Sequence, residues 1–386
     1  MQYGEAIETP KCSPGNPGQE INVPSPSPQS GAQGVALGGK PFIVNIRRAQ
    51  DRADGLRWER FLAQRTDAGH CHRWGWKEVI EESFGWPTFY LLAEEGDEIL
   101  GVLPLVWQKS RLFGSFLTSV PYLNAGGVLA ENEQVRDALI GEAIELARKR
   151  KARYLELRFR SEPGLRLPTR CHKVAMVLPL QPDAEAMWAA LPHKVRTDIR
   201  KGMKANLTAE FGGQEFLADF YSVFARNMRD LGTPVYSQRF FAEILRVFPE
   251  DAHICRVRHR DTTIAVSFLI GHRGTLEAVW SASRYDYLAM RPNMFLYWSI
   301  LRFATERRFH FFDFGRSTIG SGTHHFKKQW GAQDVPLHWT YWLPDGASLP
   351  ELNPENPRYR LAIRLWQRMP VSVTNLIGPS LAKRLP

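Results

Sequence analysis

Apolar and polar positions along the chain fall into blocks whose period switches between two residues and about 3.6, the signatures of strand and helix. Phe42–Ile46 reads as a short strand, and helical spacing follows over Leu56–Gln64 and Trp74–Phe84. Phe89–Ala93 and Ile99–Trp107 read as a strand pair turning at Glu94-Glu95-Gly96-Asp97. Beyond a glycine-rich stretch, Val135, Leu139, Ala143, Leu146 and Ala147 share one face of a helix over Val135–Arg150, and Tyr154–Phe159 resumes a strand. The second half runs in the same order. Leu207–Phe211 predicts a strand, Phe216–Met228 and Phe240–Val247 helices, and Ile254–Val257 with Ile264–Ile270 a hairpin around His259-Arg260-Asp261. Leu276–Ala282 is a further strand, Asn293–Arg307 a helix and Phe309–Phe314 a strand. Leu100-Gly101-Val102 and Ile264-Ala265-Val266 occupy equivalent places, each just after a charged turn.

The repeated order predicts two α/β domains of one type, 41–180 and 181–334, then a final strand and a basic amphipathic helix within 335–386. Residues 1–40 hold seven Gly, six Pro and four Ser with Tyr3 as the one aromatic, which predicts a disordered leader. The helix over Pro357–Gln367 sets Arg360, Arg364 and Arg368 on one stripe and Leu361 and Leu365 on another. Two readings stay open for it: attachment to a membrane surface, or docking on the body with a solvated basic face.

Composition narrows the partners. Hydrophobic residues at 44% and aromatics at 12% supply sizeable cores and exclude a disordered chain or a coiled rod. Fifty Lys and Arg against 40 Asp and Glu give +10, which favours nucleic acid, nucleotide-linked substrates or an anionic membrane surface. The four cysteines form no C-x-x-C pair and read as reduced thiols. Met1–Lys40 lacks the basic start and apolar run of a secretory signal, and Leu112–Ala130 is too rich in Gly and polar residues to span a bilayer. The expectation is a cytoplasmic protein, at most peripheral to the inner membrane.

Chemistry concentrates in Phe309–Ala332, F-H-F-F-D-F-G-R-S-T-I-G-S-G-T-H-H-F-K-K-Q-W-G-A. An aromatic strand ends near Asp313 in a glycine-broken loop, and open α/β sheets bind ligands at such carboxyl ends. There Arg316 can fork onto a phosphate or carboxylate, Ser317 offers a hydroxyl, and Lys327 can neutralise an oxyanion. The alternative gives Gly and Ser to turn geometry, pairs Asp313 with Arg316 or a helix cap, and leaves the lysines to solvent. Leu191–Asn206 is a second candidate: after Pro192, Arg196, Arg200 and Lys204 share a helix face suited to phosphate or an RNA backbone, or simply to water. Tyr236, before a helix cap at Ser237, suits ligand stacking or the edge of the core. His259-Arg260-Asp261 and Asp313-Phe314-Gly315 resemble kinase fragments, but no glycine-rich loop or strand lysine precedes them. His70-Cys71-His72 lacks a partner cluster at zinc spacing.

The run F-D-F-G-R-S-T…S-G-T-H-H-F-K-K-Q-W-G-A resembles the carboxyl-terminal signature of FemAB-like proteins. It is most similar to the branch associated with exosortase and PEP-CTERM exopolysaccharide loci. The likeness extends to R-T-D-I-R-K-G-M-K, L-G-T-P-V-Y-S, R-P-N-M-F-L-Y-W, G-V-L-P-L and N-A-G-G-V, and so covers about residues 42–345. The resemblance implies two tandem GNAT-like (acyl-CoA N-acyltransferase-like) domains with mixed sheets, the last strand returning to the first domain. It implies transfer of an amino acid from aminoacyl-tRNA to an amine of a peptidoglycan-type precursor, forming an amide. By that likeness Lys327, in Phe326-Lys327, matches the family lysine that stabilises charge during acyl transfer.

The expected catalytic pair is Lys327 and Asp313. Arg316, Ser317, Phe326, Asn293, Tyr236, Arg196 and Arg200 are the expected substrate contacts, with no metal and no cofactor. GNAT enzymes cradle the CoA pyrophosphate on R/Q-x-x-G-x-G/A, whereas here the strand-to-helix turn reads Arg291-Pro292-Asn293-Met294-Phe295-Leu296. Pro292 has no N–H to donate and the glycines are missing. The donor is therefore expected to be aminoacyl-tRNA or another acyl ester or thioester, and the acceptor a nucleotide- or lipid-linked envelope precursor rather than DNA. Two rivals remain: acylation of exopolysaccharide sugars from a non-tRNA donor, and a non-catalytic scaffold.

Overall fold

The computed structural model describes residues 44–110, 114–349 and 357–384. The leader 1–40 and the start of the strand expected at Phe42 lie outside the described residues. The first half contains β1 (Asn45–Arg48), α1 (Arg52–Ala63), α2 (Gly75–Phe84), β2 (Thr88–Glu95), β3 (Glu98–Ser110), β4 (Gly114–Thr118), β5 (Leu129–Ala130), α3 (Glu133–Lys149), β6 (Leu155–Phe159) and β7 (Thr169–Pro179). The second contains α4 (Ala184–Ala190), α5 (His193–Lys204), β8 (Leu207–Gly212), α6 (Leu217–Asp230), α7 (Gln238–Val247), β9 (Ala252–His259), β10 (Thr262–His272), β11 (Thr275–Ser283), α8 (Pro292–Glu306), β12 (Phe311–Thr318), α9 (Gly322–Lys328) and β13 (Gln333–Trp342). Two helices, α10 (Pro357–Arg368) and α11 (Val371–Ala382), end the described chain.

These strands form one mixed sheet in the order β1-β2-β3-β4-β6-β13-β7-β12-β11-β10-β9-β8, with β5 beside β3. Each half repeats one construction. Antiparallel strands lead to a helix that crosses the sheet and returns a parallel strand, β6 beside β4 and β12 beside β11. Side-chain caps fix the helix starts: Asn132 accepts from Val135 N at 3.0 Å and Ser237 from Phe240 N at 3.3 Å. In both halves the parallel ladder is short, Leu117–Thr118 on Leu155–Glu156 and Thr275–Glu277 on Phe311–Asp313.

The halves exchange their last strands. β13, from the end of the second half, pairs with β6, while β7, from the end of the first, pairs with β12. The two exchanged strands also pair with each other. Joining is reinforced by a core in which Trp76, Val79, Ile80 and Phe84 of α2 meet Phe220, Phe240, Phe241 and Phe268. On the opposite face of the second-half sheet, α4, α5, α8 and α9 cover Val174, Met176, Leu178, Phe312 and Phe314. The expectation of reduced thiols is corrected: Cys171 is disulfide-bonded, while Cys71 and Cys255 are buried free thiols.

Because β13 fills the place between β6 and β7, neither half closes its sheet alone. Residues 44–180 expressed alone should aggregate, and co-expression with 181–386 should restore a soluble complex. A monomeric, cooperatively melting 44–180 fragment in gel filtration and thermal unfolding would contradict the exchange.

Candidate active site

Glu277 on β11 and Asp313 on β12 stand directly beside each other in the parallel register, and the ladder ends with them. Both are essentially without solvent, at 2% and 0% exposure. Two carboxylates at this separation in low dielectric demand cations. The first half supplies them. Arg160, just past β6, donates Nη2 to Glu277 Oε2 at 3.0 Å and to Asp313 Oδ2 at 2.8 Å. His70 Nε2 meets Glu277 Oε2 at 2.9 Å, and Asn124 Nδ2 donates to Glu277 Oε1 at 2.9 Å. Asp313 Oδ1 accepts from Gly315 N at 2.8 Å.

The electrostatics divide the two acids. Burial pushes Glu277 up, but the hydrogen bond and charge of His70, together with Arg160, outweigh it and bring the group down to about 2. Asp313 moves the other way: burial, then the charge of Glu277, hold it above its ordinary value. Burial pulls His70 down, yet the adjacent Cys71 sulfur and Glu277 carboxylate carry it up to about 10.

A bulge in β12 aims the next cation. Asp313 lies opposite Val177 and Arg316 opposite Ala175, so one residue of β7 faces two of β12. Asp313 and Arg316 therefore share a face that strict alternation would deny them. Gly315 makes this possible, with φ at +76° and a hypothetical Cβ only 2.9 Å from Ala278 O. Arg316 lies 5.1 Å over the Trp339 ring, whose centroid is 4.4 Å from the guanidinium of Arg158. No ion pair or hydrogen bond holds the Arg316 guanidinium among the described residues, although Arg158 is paired with Glu156. Arg316 is exposed, and burial first and then the charge of Arg158 lower its pKa. Tyr236, half-buried and 5.3 Å from Tyr122, borders the same face; burial raises its pKa while the charges of Arg316 and Arg158 oppose the rise.

Lys327 approaches from the other side. Nζ donates to Gly315 O at 2.9 Å and to Arg316 O at 3.0 Å, gripping the bulge. Burial lowers this lysine to about 8 against the opposing pull of Asp313 and Glu277. The remaining expected residues lie on this α9 side. Ser317 pairs with Val174 and buries its Oγ; Phe326 packs on Tyr297 at 5.5 Å. Arg196 and Arg200 belong to α5, where Arg200 covers Trp188 at 5.3 Å, and Asn293 opens α8. The expected set thus divides: Asp313, Arg316 and Tyr236 lie on one face of the sheet, Lys327 reaches it through backbone carbonyls, and Ser317, Phe326, Asn293, Arg196 and Arg200 stand behind the strand. The alternative pairing of Asp313 with Arg316 is corrected, since Asp313 pairs with Arg160. Asp313 is fully buried with both oxygens engaged.

Sequence reasoning missed Glu277, Arg160, His70 and Asn124. One available signal was Glu277 itself, a lone charge inside the apolar run Thr275–Ser283. The turn before α8 also bears on the donor. Arg291 is left-handed, with φ at 57°, and its carbonyl takes both Met294 N and Phe295 N, so those amides are not free to cradle a diphosphate. Two hollows of about 280 and 520 Å³ lie elsewhere on the first half, around Asn132 and Arg136 and around Lys151 and Trp342, without any expected site residue. Among the described residues no group of three or more His, Cys, Asp or Glu could hold a metal ion.

Replacing Glu277 by Gln should cost about 3–5 kcal/mol by leaving buried cations uncompensated. The linkage has a definite sign. Glu277, lowered from 4.5 to about 2, stabilises above pH 4.5 and loses that contribution as pH falls; His70, raised from 6.5 to about 10, stabilises below 6.5 and loses it as pH rises. Urea unfolding across pH should show the Glu277→Gln acid limb flattened; an unchanged profile would refute the assignment. Gly315→Ala should cost about 1–3 kcal/mol through strain at the bulge, read as a lowered melting temperature.

Residues 193–328 match the family model described as Acetyltransferase (GNAT) domain. No curated protein matches the chain. Among solved structures, FemX superposes with a TM-score of 0.58 at 14% identity, covering 83% of this chain and 100% of that one. The C-terminal domain of a putative lysylphosphatidylglycerol synthetase from Agrobacterium fabrum gives a TM-score of 0.52 at 14% identity, covering 76% and 93%. A conserved protein of unknown function from Bacteroides thetaiotaomicron gives 0.55 at 8% identity, covering 78% and 100%. The second half therefore carries a GNAT acetyltransferase domain, set in a two-half α/β fold that is also the fold of FemX.

Proposed function

We propose that the protein is an N-acyltransferase of FemAB type that forms an amide on a diphosphate-bearing cell-envelope precursor, drawing the acyl group from aminoacyl-tRNA. The observation that carries this reading is Arg316, an exposed guanidinium beside Arg158 with no ion pair or hydrogen bond among the described residues, in a domain of acetyltransferase type. A cation so placed favours an anionic ligand. Nucleotide-linked and lipid-linked sugar precursors both present a diphosphate. The occupied amides at the start of α8 disfavour the CoA diphosphate at its usual place and support a different acyl carrier.

In the proposed step, an acceptor amine attacks the acyl carbon of the donor ester. The C–N bond forms, the bond to the departing oxygen breaks, and that oxygen leaves with the amine's proton. Lys327 has three N–H donors, two of which hold Gly315 O and Arg316 O; in this reading the third meets the oxyanion at the bulge, where the α9 side adjoins the face that carries Arg316. Removal of such a donor costs roughly 10²–10³ in kcat.

The test follows labelled amino acid from charged tRNA into small molecules of a cell extract, with and without ribonuclease. Labelling that requires the protein and intact tRNA supports the reading; labelling from acyl thioesters alone overturns the tRNA donor. The rate should fall as pH rises through about 8, where Lys327 loses its proton. Lys327→Met should fold and lose both turnover and that pH limb; retained turnover removes the lysine from the mechanism.

A further inference from the structure

The C-terminal helices carry an apolar surface that the body leaves uncovered. The pair is firmly docked on its inner side. Trp366, Thr374, Gly378 and Ala382 are buried, and Ile363 lies against Gly232. Gln367 Nε2 donates to Asp230 O at 2.9 Å, Arg229 Nη1 to Met369 O at 2.8 Å, and Lys383 Nζ to Phe84 O at 2.9 Å. On the outer side Leu361, Leu365, Val373, Leu376, Ile377 and Leu381 are exposed, Leu376 at 79% and Leu361 at 61%. Because Val373, Ile377 and Leu381 recur every four residues beside the buried stripe of Thr374, Gly378 and Ala382, they form one exposed apolar face of α11. A contiguous apolar patch of this kind marks an interaction site.

Charge identifies the occupant. Residues 357–386 include Arg358, Arg360, Arg364, Arg368, Lys383 and Arg384 and contain no Asp or Glu. Arg360, Arg364 and Arg368 are exposed beside the leucines. A second copy of the chain would bring like charges together at this face, whereas anionic lipid satisfies both the leucines and the arginines. No helix among the described residues is long and apolar enough to cross a membrane, so the pair suits the interface plane.

We propose that α10 and α11 form a docking surface for an anionic lipid bilayer. The proposal does not depend on the acyl-transfer reading, and it has a consequence for it. Tyr122 donates its hydroxyl to Lys383 O at 3.3 Å and packs on Tyr236, so the docked helices adjoin the aromatic border of the face that carries Arg316. A lipid-linked acceptor would then meet the site at the membrane surface.

Vesicle co-sedimentation tests this with the full chain. The protein should pellet with phosphatidylcholine vesicles containing phosphatidylglycerol and remain in solution with pure phosphatidylcholine, and high salt should weaken binding. Arg360→Gln with Arg364→Gln should weaken partition by about fivefold for each charge removed. Leu376→Glu with Leu381→Glu should abolish it without lowering the melting temperature, because both side chains face water. Failure of the wild-type protein to bind, equal binding to both vesicle types, or a dimer in light scattering that the leucine variant dissolves would each overturn the proposal. Since no acyl donor is present, its failure is distinct from failure of the enzymatic reading.

Discussion

Two carboxylates, Glu277 and Asp313, stand side by side on adjacent strands almost without water, and the protein must neutralise them to fold. The cations come from the other half of the chain: Arg160 bridges both acids and His70 caps one. A buried cluster of this kind is a poor source of net stability but a strong selector of arrangement, because any packing that separates the partners leaves bare charge in low dielectric. Here it selects the relative placement of the halves. It also fixes Arg160, with two carboxylates holding one end of its guanidinium.

The exchanged strands β7 and β13 serve the same purpose at the level of the backbone. They carry Ala175, Val177, Leu337 and Trp339 across the middle of the sheet, and this surface becomes the floor beneath Arg316. The bulge at Gly315 then sets Asp313 and Arg316 on one face, while Lys327 ties down the carbonyls the bulge exposes. The acid cluster, the bulge and the lysine therefore form one mechanical unit. Its outcome is Arg316, exposed to solvent and without an ion pair among the described residues.

Much of this organisation was legible in the sequence. The period switches located most of the central strands and helices, and the repeated order of elements announced two like halves. Where they failed, the cause is local. β4 and β5 sit in glycine-rich chain with little alternation, and β7, T-R-C-H-K-V-A-M-V-L-P, changes from half-buried to fully buried along its length, so no single period describes it. The helix α9 is seven residues with Gly and two His, and α11 is interrupted by Pro379. At the site, Arg316, Lys327 and Asp313 were visible because they share one loop. Their partners were not, because Arg160 lies 117 residues from Glu277 and His70 lies 207 away, and only the folded sheet brings them together. Arg196, Arg200 and Asn293 lie on α5 and α8, which cover the face of the sheet opposite to Arg316, and the sequence does not show which face those helices take.

The central claim is that the unpaired Arg316 receives an anionic group of the acceptor. Isothermal titration with pyrophosphate, on the wild-type protein and on Arg316→Ala, tests it most directly. The account predicts saturable binding to the wild type, weakened at least about tenfold in the variant, as loss of a charge-assisted hydrogen bond worth about 1.5–3 kcal/mol requires. Equal affinity for both proteins at equal thermal stability would contradict it.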